Sequence, residues 1–204
     1  MHYFNESSYT CVITLMINPV SGVTYTRWGK TACPTSTGAE LIYSGKVGGT
    51  RHSVRGGSAE MLCLPDDPDY IPETAGVAAP FQSIIYGAEY EFFAGPLKNA
   101  TEHNAPCAIC FVPTRASVIM IPAKTVCPSS WTREYYGYLT TNCDLHHRSS
   151  YTCLDNSPEI VPGTEFETTT TDAAFFYYTV TTCKGLSCPP YENNRTLSCV
   201  VCTK

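Results

Sequence analysis

The chain has 204 residues and a formal net charge of −5; 15% of its residues are charged and 12% are aromatic. It carries no cluster of lysine and arginine, which argues against nucleic-acid binding because phosphate contacts need a concentrated basic face. No apolar run reaches the roughly 20 residues needed to cross a bilayer, so no membrane span is expected.

The first part of the chain alternates β-type patterns with turn-forming segments. Residues 1–22 are weakly patterned and are interpreted as a lead-in; their apolar run has no basic residues before it and no clear cleavage site after it, so we expect a clipped or misassigned start. Strands are predicted at residues 23–29 and 40–47, the second ending at Gly48-Gly49. Residues 48–58 are rich in Gly, Ser, His and Arg and are interpreted as an exposed loop, the first place where a ligand could bind.

A proline-rich region separates these strands from the next one. It opens at Cys63 and continues through Pro80, and we expect neither a helix nor a central strand in it because proline lacks the amide donor. Residues 83–93 are predicted to form a strand with a bulge at Gly87.

The second part of the chain follows the same layout. Strands are predicted at residues 115–121, 131–141, 173–182 and 196–202. The intervening residues 142–150 and the acidic, threonine-rich residues 159–172 are interpreted as loops. No stretch of twelve or more residues has a clean helical period, and tyrosine recurs beside threonine, valine and isoleucine, which favours strands. The pattern therefore predicts an all-β fold with long Pro/Gly loops.

Two motifs recur at matched places in the two halves. The first half opens with Lys30-Thr-Ala-Cys33-Pro and closes with Cys107-Ala-Ile-Cys110. The second half opens with Lys124-Thr-Val-Cys127-Pro and closes with Cys199-Val-Val-Cys202. Recurrence of this kind indicates an internal repeat.

The segments between these motifs align as well. The aligned pairs are Leu41-Ile-Tyr-Ser-Gly45 with Glu134-Tyr-Tyr-Gly-Tyr138, Cys63-Leu-Pro-Asp-Asp-Pro68 with Cys153-Leu-Asp-Asn-Ser-Pro158, and Glu89-Tyr-Glu-Phe-Phe93 with Phe175-Phe-Tyr-Tyr-Thr179. We therefore predict two tandem, homologous, disulfide-stapled β-rich subdomains, at residues 23–112 and 113–204.

Cysteine content points to the compartment. Twelve cysteines at matched spacings are typical of a disulfide framework formed in an oxidising environment, so a secreted, extracellular protein is expected. Asn5, Asn99 and Asn194 each begin an N-x-[S/T] sequon and are candidate N-glycosylation sites in that compartment.

A series of motifs between residues 24 and 202 also carries a likeness to a known family. These motifs are Tyr25-Thr-Arg-Trp-Gly29, Cys33-Pro, Leu41-Ile-Tyr-Ser-Gly45, Gly56-Gly-Ser-Ala, Cys63-Leu-Pro-Asp-Asp-Pro68, Tyr86-Gly-Ala-Glu-Tyr90, Ala105-Pro-Cys-Ala-Ile-Cys110, Arg115-Ala-Ser, Cys127-Pro-Ser-Ser-Trp131, Glu134-Tyr-Tyr-Gly-Tyr138 and Cys188-Pro-Pro-Tyr191. With them, the chain resembles the type IV collagen C-terminal non-collagenous domain and, more closely, the related invertebrate short-chain-collagen family. The chain has no Gly-x-y triplets, so it cannot itself form a triple helix.

The resemblance implies how most of the cysteines pair. Carried over residue by residue, it gives Cys33–Cys110, Cys63–Cys107, Cys127–Cys202 and Cys153–Cys199. Cys183 and Cys188 are five residues apart, and their proximity alone predicts a local cystine. Cys11 and Cys143 have no partner in this scheme, and they either pair with each other or one of them links chains.

Metal and redox roles have weaker support. The two C-x-x-C pairs lie too far apart in sequence for a zinc ribbon, and they lie in strand-like segments rather than at the start of a helix, as a redox motif would. Asp66, Asp67 and Asp69 carry oxygen ligands for calcium but alternate with prolines and equally fit turns.

The histidines form a second group of candidates. His146 and His147, with Cys143 and Asp144 nearby, suggest a metal site or a Cys-His nucleophile, but adjacent strand residues point to opposite faces and a cysteine in this compartment is usually oxidised. The more isolated His52 and His103 are interpreted as loop residues. With no hydrolase, zincin, P-loop or dinucleotide motif, no enzyme activity, catalytic residue, metal or cofactor is predicted.

Two functions follow from these observations. The first is a secreted, non-enzymatic structural or extracellular-matrix protein that self-associates through its β-rich domains, with further copies of itself or related matrix chains as partners. The alternative is a secreted recognition module that binds glycans or a small ligand through the loops at residues 48–58 and 65–80, since aromatic rings beside polar groups suit sugar stacking.

Overall fold

The computed structural model describes residues 21–71, 82–164 and 172–204. Within these ranges the chain forms strands β1 (Val23–Trp28), β2 (Glu40–Gly49), β3 (Leu62–Pro65), β4 (Tyr86–Tyr90), β5 (Pro106–Val112), β6 (Val118–Pro122), β7 (Thr132–Thr141), β8 (Thr152–Asp155), β9 (Ala174–Tyr178) and β10 (Ser198–Thr203). Short 3-10 helices lie at Thr35–Thr37 and Lys98–Ala100. The prediction of an all-β fold is confirmed. No helix in the described ranges is long and apolar enough to span a membrane.

The same set of strand pairings occurs in both halves of the chain. In the first half β5 lies between β1 and β2, and β2 also pairs with β3 and β4. In the second half β10 lies between β6 and β7, and β7 also pairs with β8 and β9. All of these pairings are antiparallel.

Two parallel contacts join the halves into one sheet. Trp28 of β1 lies opposite Leu154 of β8, and Ala88 of β4 lies opposite Ala174 of β9. The strand order is β6-β10-β7-β8-β1-β5-β2-β4-β9, with β3 on β2. Because β9 also pairs with β7, the strands from β7 round to β9 form a closed circuit of pairings. Among the described strands, β6 and β3 each pair on one side alone.

The apolar core draws on both halves at once. One cluster of buried residues includes Tyr90 and Phe92 from the first half and Leu154 and Phe176 from the second, each at most 1% exposed. Aromatic rings contribute large buried areas and favourable edge and offset contacts. Since each half fills the space beside the other, we infer that neither half buries its large aromatic residues alone.

A buried carboxylate also links the two halves. Glu134 of β7 is 4% exposed and accepts hydrogen bonds from the hydroxyls of Tyr25 at 3.0 Å, Thr37 at 2.6 Å and Thr203 at 2.6 Å. Burial raises the pKa of Tyr25, as does the neighbouring Glu134 charge, so this phenol stays protonated and donates. A buried charge is tolerated where its lone pairs are satisfied in this way.

Five disulfides close long and short loops. They join Cys33–Cys110, Cys63–Cys107, Cys127–Cys202, Cys153–Cys199 and Cys183–Cys188, the same pairs that the resemblance and the local spacing led us to expect. The first four span 77, 44, 75 and 46 residues, and a loop of such length lowers the entropy of the unfolded chain by the equivalent of about 4 kcal/mol. Among the described cysteines, Cys143 has no disulfide partner; Cys11 lies outside the described residues.

Two sequence expectations about strands are wrong, and one strand forms in an unexpected place. β2 continues through Gly48 and Gly49, because residues without side chains allow Leu64 and Ile85 to pack directly on the backbone. β3 forms at Leu62–Pro65, inside the proline-rich region, but it is an edge strand beside β2 with proline at its last position, so the expectation that no central strand forms there is not contradicted. No bulge occurs at Gly87, which pairs regularly with Gly48; the register shifts instead within β2, between Leu41 and Tyr43, and within β10.

Two glycines show how closely the strands approach. Gly45 lies opposite Cys107 and Gly137 lies opposite Cys199, so Gly45 corresponds to Gly137 and Tyr43 to Tyr135. The sequence alignment, which set Tyr43 against Tyr136, was one residue out of register. The hydroxyls of Tyr43 and Tyr135 each donate to the carbonyl of a cysteine, Cys63 and Cys153, at 3.0 Å.

We predict that Gly45→Ala and Gly137→Ala are both strongly destabilising. An added Cβ would lie 1.7 Å from the carbonyl oxygen of Leu64 at the first position and of Leu154 at the second, and relieving such a backbone clash costs roughly 3 kcal/mol. Thermal unfolding measures the loss. Gly56→Ala is the matched control, since its Cβ would meet nothing within 4 Å; equal melting temperatures for all three variants would contradict the strand geometry.

Candidate functional site

A cavity of about 380 Å³ lies between one loop from each half of the chain. The loops are residues 49–61, which include most of the loop singled out from the sequence, and residues 142–149, which include His146 and His147. The lining residues are Gly49, Thr50, Arg51, Val54, Arg55, Gly57, Ser58, Ala59, Glu60, Met61, Asn142, His146, His147, Arg148, Ser149 and Ala174. Sequence analysis noted the loops separately but did not predict that they meet.

Backbone hydrogen bonds hold the two loops together. The amide of His147 donates to the carbonyl of His52 at 3.0 Å, and the amide of Ser150 donates to the carbonyl of Ala59 at 2.8 Å. The Ser149 hydroxyl donates to the same Ala59 carbonyl at 3.1 Å. Within the second loop, the Asn142 side-chain amide donates to the His147 carbonyl at 2.9 Å. The cavity wall is therefore held by the main chain as well as by side chains.

The rings of His52 and His146 pack against each other at a tilt of 46° beside the cavity. Their ring centroids are 4.2 Å apart, and the His146 ring also packs against Phe175 at 5.8 Å and Tyr177 at 5.6 Å. Burial lowers the pKa of His146, and the neighbouring His52 lowers it further. His146 is consequently a neutral imidazole near pH 7. His52 is a loop residue as expected, but its contact with His146 had no signal in the sequence.

Three residues that line this cavity each carry a buried polar atom with no hydrogen-bond partner within the described part of the chain. These atoms are Arg51 Nε, Asn142 Oδ1 and His146 Nδ1. Arg51 itself is anchored, because its Nη2 lies 2.7 Å from Asp172 Oδ1. Buried polar atoms are nearly always paired in folded proteins, so their concentration here distinguishes the cavity chemically.

A second candidate surface is the contact that β1 makes with β8. Arg27 Nη2 and Nε lie 2.8 and 2.9 Å from Asp155 Oδ2, and the Asp155 side chain is 3% exposed. Beyond the strand, Lys30 Nζ lies 3.2 Å from Glu159 Oε1. The Thr31 amide and hydroxyl donate to Glu159 Oε2 at 3.0 and 2.8 Å. Burial acts to raise the pKa of Glu159, but the hydrogen bonds from Thr31 and Lys30 outweigh it and the pKa is lowered.

The strand β6 presents an apolar edge. Val118 and Ile119 are 39% and 44% exposed. Tyr25 is the equivalent of Ile119 in the first half, because it lies opposite Cys110 of β5 as Ile119 lies opposite Cys202 of β10, but Tyr25 is only 7% exposed. An unpaired strand edge offers free amide and carbonyl groups to another strand. The apolar side chains and the free backbone groups together make β6 a candidate interface.

The remaining predicted sites lie on the surface or outside the described residues. Asn99 and Asn194 are exposed, and Asn5 is outside the described ranges. Asp66, Asp67 and Asp69 are exposed, with Asp66 Oδ1 3.3 Å from Lys46 Nζ. No group of three or more His, Cys, Asp or Glu side chains in the described ranges is arranged to hold a metal ion. Most of the proline-rich loop proposed for ligand binding, residues 72–81, is outside those ranges.

Comparison with known protein families adds no assignment. No family model matches this chain.

We predict that His52→Gln raises the pKa of His146 toward its ordinary value of 6.5. The substitution removes the repulsion between the two rings but leaves the partial burial of His146 in place, so the rise is partial. An NMR pH titration of the imidazole signals measures it. His103, whose Nδ1 lies 3.0 Å from the Thr101 carbonyl oxygen, serves as an internal control.

The lowered pKa of His146 also determines how the stability of the fold depends on pH. Because folding favours neutral His146, its contribution to the free energy of unfolding is fully present above about pH 6.5 and is lost as the pH falls toward the lowered folded pKa. An unchanged His146 titration in His52→Gln would contradict the close packing of the two rings.

Proposed function

We propose that the chain is a secreted, non-enzymatic structural protein of the extracellular matrix that self-associates through its sheet. We further infer that the halves are tandem homologous subdomains related to the collagen-type domains that the sequence resembles. One observation carries the proposal. In each half one strand edge corresponds to an edge used in the contact of β1 with β8: β6 corresponds to β1, and β3 corresponds to β8. Among the described strands, these two edges are unpaired in the single chain, and β6 of one copy can pair with β3 of a second copy as β1 pairs with β8.

Strand pairing defines the equivalence. Trp28 lies opposite Cys107 and Pro122 lies opposite Cys199, so β6 has the place on β10 that β1 has on β5. In the same way, β3 has the place on β2 that β8 has on β7. Since β1 packs on β8, the free edge of β6 matches the free edge of β3.

The turns that follow the two edge strands have the same shape. The amide of Gly29 donates to the carbonyl of Pro106 at 2.8 Å, and the amide of Ala123 donates to the carbonyl of Ser198 at 2.7 Å. Both residues have a left-handed backbone, with φ of 84° and 59°. The lysines that come next, Lys30 and Lys124, therefore leave their strands in matching directions.

The charges at the open contact are complementary. Lys30 pairs with Glu159, which follows Cys153 by six residues. At the equivalent places are Lys124 and Asp69, which follows Cys63 by six residues; both are exposed. Packing β6 of one copy on β3 of the next would bring this lysine and aspartate together.

The buried ion pair of the internal contact has an apolar counterpart. The residues at the places of Arg27 and Asp155 are Ile121 and Pro65. Unlike an ion pair, two apolar residues have no charge to desolvate when the contact forms, and their burial is favourable. Strand addition supplies main-chain hydrogen bonds, and side chains supply the specificity.

A contact of this kind joins two different surfaces. Such heterologous contacts produce closed rings when the rotation closes and filaments when it does not. The five disulfides and the exposed sequons at Asn99 and Asn194 support secretion and glycosylation, since both belong to an oxidising export route.

We predict that Lys124→Asp weakens self-association and that adding Asp69→Lys restores it in part. The single change sets like charges against each other at the contact, and the double change reverses the pair. Size exclusion with light scattering at micromolar concentration measures the mass. Lys98→Asp, an exposed substitution of the same charge change outside the contact, is the control.

Two results would overturn the proposal. One is a wild-type chain that stays monomeric as its concentration rises, and the other is a Lys124→Asp chain with the wild-type mass. Cys143→Ser is expected to leave the mass unchanged because Cys143 is not part of the proposed contact. A fall to monomer in that variant would instead indicate a covalent link between chains.

A further inference from the structure

We infer that the cavity between residues 49–61 and 142–149 binds a small hydroxylated anion, of the chemical class of an acidic sugar residue. This binding function goes beyond self-association and does not depend on it, because no residue that lines the cavity belongs to β6 or β3. The inference rests on the charge, the unpaired atoms and the size of the cavity.

The cavity is basic although the chain as a whole is acidic. Three arginines line it, Arg51, Arg55 and Arg148, against one carboxylate, Glu60, in a chain with a formal net charge of −5. Arg51 is partly neutralised by Asp172. Arg55 and Arg148 make no ion pair with any residue in the described ranges. The local charge therefore favours an anionic ligand.

The unpaired atoms indicate which hydrogen-bonding groups the ligand carries, in addition to its charge. Arg51 Nε can only donate a hydrogen bond, and it suits an oxyanion. Asn142 Oδ1 can only accept one, since the Asn142 amide nitrogen already donates to the His147 carbonyl, and it suits a hydroxyl. The neutral imidazole of His146 serves either role through Nδ1, depending on its tautomer. A ligand that satisfies all three carries both an oxyanion and a hydroxyl group.

The dimensions limit the size of the ligand. A volume of about 380 Å³ is near the lower end of the range of roughly 300–1,000 Å³ for small-molecule pockets. Gly49, Met61 and Ala174 form a buried apolar part of the lining, while Thr50 and Ser58 add hydroxyl-bearing side chains. These proportions suit one sugar ring with its polar groups toward the arginines better than an extended oligosaccharide.

The test is an NMR titration of the folded, oxidised chain with four probes. Glucuronate and a glucose sulfate ester carry the two common sugar oxyanions, glucose is the same ring without a charge, and inorganic sulfate is a charge without a ring. We expect shifts of the His146 ring signals with one or both acidic sugars at millimolar concentration. Comparing the two acidic sugars identifies the carboxylate or the sulfate as the preferred group.

Substitutions in the cavity connect binding to the named atoms. Arg51→Lys keeps the positive charge for Asp172 but removes the Nε donor, and Asn142→Asp keeps an acceptor but adds repulsion toward an anion. Each is expected to weaken binding at least tenfold, as for the loss of a hydrogen bond to a charged group. Arg133→Lys is the control, because its guanidinium lies over the Tyr136 ring, 4.9 Å from the centroid, away from the cavity.

The outcomes separate clearly. Binding of an acidic sugar that both cavity variants weaken, with thermal unfolding unchanged in at least one of them, supports the inference. Equal binding of glucose and glucuronate would overturn the anionic part, and sulfate binding as tight as that of the acidic sugars would overturn the hydroxyl part. Absence of any shift with all four probes would overturn the site itself.

Discussion

Two cystines on one central strand are the constraint on which the rest of the structure depends. β5 lies between β1 and β2, and its cysteines, Cys107 and Cys110, are three residues apart and fully buried. Because successive strand residues face opposite sides, the two cystines lie on opposite faces. Cys107 with Cys63 belongs to one core cluster, and Cys110 with Cys33 belongs to the other. Both clusters are thereby tied to one strand.

With these strands held in place, each half supplies contacts that the other lacks. Trp28 lies opposite Leu154 and Arg27 forms an ion pair with Asp155 across the boundary. Glu134 accepts hydrogen bonds from hydroxyl groups on both sides of it. Buried charges of this kind cost desolvation energy and are tolerated only with specific partners, so they favour one arrangement over others. Among the described strands, this arrangement pairs both edges of β1 and β8 but leaves one edge of β6 and of β3 open, and the proposed self-association would use these two edges.

The same interlocking brings distant loops together. The His52 loop and the His146 loop meet because β2 leads into one and β7 into the other, and both strands connect through β4 and β9. Their contact creates a basic cavity in an acidic protein, with polar atoms that no described side chain satisfies. Assembly and ligand binding would thus use different surfaces of one sheet.

Local sequence was enough for seven of the ten described strands, because alternation and β-branched or aromatic composition act over a few residues. It predicted no strand at β5 or β8, although the C-x-x-C pair of β5 was recognised as strand-like. It did not reveal β3, whose Leu62–Pro65 strand is stabilised by pairing with β2 against its own proline. The equivalence of Gly45 and Gly137 was decided by strand pairing, since the first lies opposite Cys107 and the second opposite Cys199. The meeting of His52 with His146, whose ring centroids are 4.2 Å apart, was decided by tertiary structure. Sequence by itself indicated most of the segments that form strands and, through the family resemblance, four of the five cystine pairs. Only the tertiary structure decided which strands pair, which edges remain free and which loops share a cavity, because those are properties of how the two halves interlock.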